Sequence, residues 1–472
     1  MVKRNDLNYC ISLFAVICTL FAHAQDTAKV QKMGITDFMT IVREYHPVAR
    51  QAALKAELGD AELLSKKGAF DPYLYGDVGQ KYFDDKQYYN LIDAGMKVPT
   101  WFGIEMQAGL EQTDGDFINP QRTTPNNGLV YAGISVPIGQ DLFIDQRRAD
   151  LRNAQIYQNI TLEERRLLLN KLFKKAVNTY WKWFAASRKY TIYQEALELA
   201  QVRFQAVESS AQIGESPYVD TVEAYVQLQN RKNLLQSARL EYENVTAELE
   251  VFLWNQDQQP LTIASTIEPP APERVIDEKS KLELGSQMDT LIKNHPALLK
   301  KELEVSQLEI DRKLAVERLK PQLDLKYNAI NEPIAGDLIQ GYSINNYTWG
   351  LTFKMPIFLR KERGQLQKAN IQLQEQELAL KQLERELSFG LNAAYNSWNT
   401  LGQQIKTYQS IVESSKQLLQ AERQKFKNGE SSLFLVNSRE MRYVKARIEY
   451  IDLIRQLQQA YIEVQFRLGL LD

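Results

Sequence analysis

The chain has 472 residues, 57 Lys and Arg against 59 Asp and Glu, a formal charge of −2 and 44% hydrophobic residues. So even a charge balance gives no basis for a nucleic-acid partner, and none is expected. The only cysteines, Cys10 and Cys18, lie near the N-terminus, so the rest of the chain forms neither a disulfide nor a thiolate metal site.

Residues 1–24 read as a secretory signal: Lys3 and Arg4 precede an apolar run from Ile11 to Ala22, and the stretch closes with Ala22-His23-Ala24. The run is shorter than the ~20 apolar residues a membrane-spanning helix needs. No later stretch is apolar for that length, so entry into a membrane would require a β-barrel.

The remainder matches itself. His46-Pro47 through Asp71-Pro72 recurs as His295-Pro296 through Lys320-Pro321 at an offset of 249. Ser135-Val136-Pro137-Ile138 recurs as Lys354-Met355-Pro356-Ile357 at 219. Arg148, Leu151, Ala154, Tyr180, Trp183 and Gly214 recur as Arg363, Leu366, Ala369, Tyr395, Trp398 and Gly429, all at 215. The chain is therefore expected to hold repeat 1 over residues 25–254, a linker over 255–284 rich in Pro, Gln and Glu, and repeat 2 over 285–472. The drop in offset from 249 to 219 gives the first copy 30 more residues between its two prolines.

In chain order, the pattern predicts a helix from Ile35 to about Lys67, matched by one from about Ser286 to Leu319, each ended by a downstream proline. Alternating segments follow. In copy two Leu323, Leu325, Tyr327 and Ala329 share one face, and Tyr347, Trp349, Leu351, Phe353 and Met355 repeat the pattern; in copy one Val130, Ala132, Ile134, Val136 and Ile138 do so. Strands of roughly 10 residues with aromatics near their ends suit an outer membrane barrel. Long helices then run from about Asp141 to Ala211 and from Arg360 to Lys427, and ~70 residues extend roughly 105 Å. Each turns at a glycine-centred tip, Gly214-Glu215-Ser216-Pro217 and Asn428-Gly429-Glu430-Ser431, into a returning helix from about Tyr218 to Trp254 and from about Leu433 to Leu468. Helices joined so closely pack antiparallel, as a hairpin.

The extra residues of copy one hold a further pattern. Ile92, Ala94, Met96 and Val98 alternate with polar neighbours, the chain turns at Pro99-Thr100, and Phe102, Ile104, Met106, Ala108 and Leu110 alternate again. Either this hairpin adds two strands to the barrel beside Tyr73 to Gln80, with a long outer loop at Asp114 to Asn127, or it folds outside, against the outer loops or the helical shaft.

No phosphate loop, dinucleotide fingerprint, serine elbow or zinc-protease helix occurs, so no enzyme and no cofactor are expected. His46 and His295 each precede a proline at matching positions, which points to a structural role rather than metal binding.

The His-Pro helix openings, the Pro-Ile strand ends and the glycine-centred tips, in duplicated order, resemble the TolC-like outer membrane efflux family over about Ile35 to the C-terminus. The resemblance implies a mixed α and β fold: two repeats of long antiparallel helical hairpins, coiled into an α-barrel, plus transmembrane strands in one β-barrel shared by a homotrimer. It implies a passive export duct of an efflux or type I secretion system in the outer membrane of a Gram-negative bacterium, reaching into the periplasm. The implied partners are outer membrane lipid, a periplasmic adaptor (membrane fusion) protein and an inner membrane transporter, with usually four strands per protomer. It also implies that the tips (Gly214, Glu215, Ser216, Pro217; Gly429, Glu430, Ser431) dock the adaptor, and that an acid six residues after the tip glycine helps constrict the entrance. Asp220 keeps that position, with Glu223 on the same face. Copy two departs, with Leu435 and Ser438 in the equivalent places and Phe426 where the family often has tyrosine. The expected gate therefore combines Asp220 and Glu223 with an apolar constriction from Leu433, Phe434 and Leu435. A periplasmic coiled-coil scaffold or surface adhesin is the competing reading, and the alternating segments weigh against it.

Overall fold

The computed structural model describes residues 31–215, 217–264, 266–271, 292–333 and 343–471. The expected leader, most of the second half of the linker and the start of the second His-Pro helix lie outside those residues.

The elements follow the repeat. A short strand β1 (Gln31–Lys32) leads into α1 (Ile35–Tyr45) and α2 (Pro47–Lys67). Strands β2 (Tyr73–Phe83), β3 (Lys86–Pro99), β4 (Glu105–Asp114) and β5 (Leu129–Pro137) precede α3 (Gln146–Gln212) and α4 (Tyr218–Glu250). After the two-residue β6 (Ile267–Glu268), copy two supplies α5 (Pro296–Glu317), β7 (Gln322–Asn331), β8 (Tyr347–Lys354), α6 (Arg360–Lys427) and α7 (Leu433–Leu468). No helix among the described residues is long and apolar enough to cross a membrane.

Where one helix was expected from Ile35, two form, because Pro47 lacks an amide proton and pushes His46 into an extended conformation at ψ 132°. His46 turns the break into a cap: its Nδ1 accepts from the Val48 amide at 3.1 Å. His295 does the same for Ala297 at 3.1 Å, at the start of α5. Burial, then Lys175, holds the His46 pKa below its usual value, which keeps the ring neutral and able to accept.

The residues form two compact units, each drawing on both copies. The first takes in Met1–Ala49, Leu172–Glu283 and Ala393–Phe466. Its helices α3 and α4 are antiparallel, as the pairs Lys182–Glu248, Tyr190–Tyr242 and Phe204–Tyr225 show. Helix α7 also runs against α3, through Lys174–Glu463, Lys189–Asp452 and Glu195–Arg447, and against α6 through Trp398–Tyr461. The core is aromatic: Phe38 of α1 stacks on Tyr180 at 5.5 Å and meets Phe252 edge-on. The linker lies on α3, where Arg188 donates to the carbonyls of Pro269 and Pro270, and β6 pairs in parallel with β1.

The second unit comprises Arg50–Lys171, Leu284–Asn392 and Arg467–Asp472. It contains a six-stranded sheet in the order β2-β3-β4-β5-β7-β8, antiparallel at every step. The extra hairpin of copy one is thus part of the sheet, between β2 and β5, and does not fold outside it. One face carries the row Leu74, Met96, Ala108, Ala132, Ala329, Tyr347. The other carries Tyr73, Lys97, Gln107, Gly133, Asn328, Thr348 at the neighbouring register. Below the sheet, Ile144, Ala149, Ile310 and Leu314 pack α3 on α5.

Candidate functional site: the hairpin tips

Both tips close in the same way. Gly214 and Gly429 adopt left-handed φ of 78° and 77°, which a side chain at Cβ would strain. Glu215 N–H reaches Ser210 O at 2.9 Å while Gly214 N–H reaches Ala211 O; Glu430 and Gly429 repeat this on Lys425 and Phe426. That pair of bonds is the Schellman motif, which satisfies the last carbonyls of a helix with one tight turn. Glu215, Pro217 and Glu430 are exposed, Ser431 is half-buried, and Ser216 lies outside the described residues.

The expected gate residues separate by environment. Asp220 sits half-buried in the first turn of α4, where the helix dipole favours a carboxylate. Glu223 accepts from Asn437 Nδ2 at 3.4 Å. Leu433 is only 6% exposed and packs inside the hairpins, whereas Phe434 is 65% exposed and Leu435 is also on the surface. Glu223 and Phe434 share a groove of about 330 Å³ with Asn437, Met441 and Lys445, and neither Asp220 nor Leu435 lines it.

Next to that groove lies a polar cluster that sequence reading missed. Glu440, 2% exposed, accepts from Arg203 of α3 and from Arg423 of α6 at 3.1 Å. Arg203 also donates to Asn437 Oδ1 at 2.6 Å, and Asn437 continues to Glu223. All four helices of the tip region are thereby tied together by charge-assisted hydrogen bonds. Arg203 lies three helical turns before Gly214 and Glu440 three turns after Gly429, so only antiparallel packing brings them together. The signal available in sequence was an acid and an amide, Glu440 and Asn437, on the otherwise apolar face that begins at Leu433 and Val436.

Closer to the turn, Glu422 accepts from Ser431 Oγ at 2.6 Å and from Arg439 Nε at 3.3 Å. The Ser431 bond first, then Arg439, holds its carboxyl below the ordinary carboxylate range. No group of three or more candidate metal ligands occurs among the described residues.

An antiparallel sheet with one apolar face, joined to duplicated helical hairpins that end in glycine tips, defines the architecture of TolC-like outer membrane channels. Solved structures share it. A membrane protein from Pseudomonas aeruginosa aligns with a TM-score of 0.67 at 15% identity, covering 92% of this chain and 92% of that one. The MtrE outer membrane channel of Neisseria gonorrhoeae in its open state aligns with a TM-score of 0.64 at 12% identity over 95% and 93% of the two chains. The CmeC outer membrane channel of Campylobacter jejuni gives 0.63 at 14% identity over 92% and 85%. No curated protein sequence matches. Residues 288–470, nearly all of copy two, match the outer membrane efflux protein family. The family match is confined to copy two, and over the whole chain the likeness to these channels is one of fold.

Proposed function

We propose that the chain is the outer membrane channel subunit of a tripartite efflux or type I secretion system, a passive duct that catalyses no reaction. The sheet carries this reading: every strand is antiparallel to its neighbours, and one apolar face crosses all six. A soluble protein would not leave Trp349, Leu351, Phe353, Leu74 and Val78 exposed on one sheet face, whereas lipid accepts them there.

Self-association into a homotrimer is supported by the helices. On α4 the residues Tyr218, Val219, Val222, Tyr225 and Val226 are all exposed, and they bury themselves when hairpins of neighbouring copies close into a ring. In this reading the sheets form the wall in the outer membrane and the tips face the periplasm. There an adaptor docks on Gly214, Glu215, Ser216, Pro217, Gly429, Glu430 and Ser431 and couples the duct to an inner membrane transporter. Asp220 and Glu223 form an acidic ring at the entrance, and Phe434 and Leu435 supply the apolar constriction seated on buried Leu433.

Carbonate washing of membranes tests the location. The channel is expected to stay with the outer membrane and to come out in detergent as a trimer, whereas release by carbonate would favour a scaffold. Single-channel recording of Asp220→Ala with Glu223→Ala tests the gate: loss of cation preference is expected, and unchanged selectivity and conductance would remove the acidic ring.

A further inference from the structure

We propose that the barrel wall takes six strands from every copy, with β8 of one copy pairing antiparallel with β2 of the next, so that three copies close an 18-stranded barrel. The proposal rests on the channel reading above and adds to it the size of the barrel and the surface by which copies join.

The extra hairpin is built as wall. On the apolar face its residues fall in register with strands on both sides: Val98, Met106, Ile134, Tyr327 and Trp349 form one cross-strand row from β3 to β8. A hairpin folded over the outside would have to give up that register with β5.

The polar face is braced across the insertion. Tyr75 of β2 and Tyr131 of β5 come from strands that flank the hairpin, and their hydroxyls meet above it by a hydrogen bond. Tyr131 also donates to Asp93 of β3 at 2.8 Å. The rings fit because Gly95 and Gly109 face each other beneath them; a Cβ would stand 2.9 Å from the Tyr75 hydroxyl at Gly95 and 2.7 Å from the Tyr131 hydroxyl at Gly109. Gln107 Nε2 then donates to Asn328 Oδ1 at 2.7 Å, tying β4 to β7 across β5.

The lower turn is seated on the helices. Gly103, at φ +94°, lies so close over the Arg148 guanidinium that a Cβ there would be 2.9 Å from Nη2, and Glu105 pairs with Arg147 at 3.6 Å. The two added strands therefore have their own attachment at the head of α3.

Both edges of this sheet call for a partner. β8 is exposed at each of its eight residues, and its apolar side chains continue the face that ends at Leu74 and Val78 of β2. Bare edge amides and carbonyls are not tolerated in lipid, so the ladder must be completed. Six strands are too few to close on themselves, since about eight form the smallest filled barrel. Because sense alternates at every step from β2 to β8, β8 of one copy meets β2 of the next in antiparallel sense, and the alternation runs unbroken round the ring.

Labelling of single-cysteine variants by a lipid-phase maleimide tests the wall, since Cys10 and Cys18 lie in the expected leader and give no background. Met96→Cys and Met106→Cys are expected to label to within about twofold of Ile134→Cys, as lipid-facing positions of one barrel. Oxidation of a trimer carrying Trp349→Cys with Leu74→Cys, Gly76→Cys or Val78→Cys in turn is expected to give covalent dimers and trimers for at least one partner. Protection of Met96 and Met106 beside a labelled Ile134, or a disulfide between Leu74→Cys and Ala132→Cys, would put β2 against β5 and overturn the six-strand wall while leaving the channel reading intact. A monomer released by carbonate would overturn both.

Discussion

Helices α4 and α7 begin at equivalent positions of the repeat, Tyr218 and Leu433, yet they treat matching positions differently. Val222 and Tyr225 of copy one are exposed, while their counterparts in copy two, Asn437 and Glu440, are buried. Position within the chain explains the inversion. Helix α7 lies against both α3 and α6, so its inward face meets Arg203 and Arg423 and must carry groups that pair with them. Helix α4 packs on α3 and meets α7 through Glu223, while Val222 and Tyr225 stay on its exposed face. Duplication thus supplied one backbone twice, and divergence gave one return helix buried polar groups that pair within the chain and left the other with exposed apolar residues at the same positions.

The strand-to-helix junctions make the same point in the second unit. Each contains a left-handed non-glycine residue, Asp141 at φ 69° and Leu359 at φ 49°. Arg148 follows in copy one, is buried, and holds the junction through Asp145 at 3.0 Å and the carbonyls of Leu142 and Asp141. Arg363 follows in copy two and is exposed. The difference is the inserted hairpin, whose turn at Gly103 covers Arg148 and has no equivalent over Arg363.

Arg148→Ala is the strongest way to break this comparison. Removing one partner of a buried pair is expected to cost about 3 kcal/mol, and Arg363→Ala less than about 0.5 kcal/mol. Thermal unfolding midpoints of the detergent-solubilised protein read both. Equal losses would mean that an adjacent copy covers the second junction as the hairpin covers the first.

Glu440→Gln sharpens the contrast between the return helices. Replacing the carboxylate with an amide weakens the bonds from Arg203 and Arg423 and is expected to cost about 2 kcal/mol. It is also expected to raise single-channel conductance, because all four tip helices are tied through this residue. Tyr225→Phe, at the matching exposed position, is expected to leave conductance unchanged. A Glu440→Gln channel with wild-type conductance would confine the cluster to packing.

The histidines predict equality where the other pairs predict difference. His46→Ala and His295→Ala each remove one cap bond of 3.1 Å, and each is expected to cost about 1 kcal/mol. For His46 the sign of the pH effect is set by its lowered pKa: the stability it contributes is complete above the ordinary value near 6.5 and falls as pH drops toward the folded value. Denaturation midpoints at pH 8 and pH 5 are expected to differ less in His46→Ala than in the wild type.

Much of this was legible in sequence because it is local. Alternation placed the strands, the glycines placed the tips, and α6 and α7 run over the residues expected for them. The kink at His46 was written in Pro47, but a continuous apolar pattern hid it. The buried cluster was not legible, since Arg203 and Glu440 are far apart in sequence and meet only once α7 packs on α3. The hairpin could be read as strands but not located, because alternation fixes which residues share a face and says nothing about which strand lies beside them. Tyr75, Gly95, Gly109 and Tyr131 locate it through contacts that exist only in three dimensions.

The smallest effect is expected at the second tip, where Glu422 has no counterpart: Val207 holds its place in copy one. Its carboxyl is held below the ordinary range, chiefly by the Ser431 hydroxyl and then by Arg439. A depressed carboxylate contributes its stability above the ordinary value, near 4.5, and loses it as pH falls through the folded value. The second tip should therefore stay closed at neutral and mildly acidic pH and loosen only in stronger acid. Ser431→Ala removes the larger cause and moves the carboxyl toward its ordinary value, so loosening should begin at higher pH, and conductance recorded against pH reads the shift. Ser431→Thr keeps a hydroxyl and should restore the wild-type profile. If Ser431→Ala and the wild type respond to acid alike, the cations Arg439 and Lys425 govern Glu422, and the acid response of the second tip does not depend on the turn that closes it.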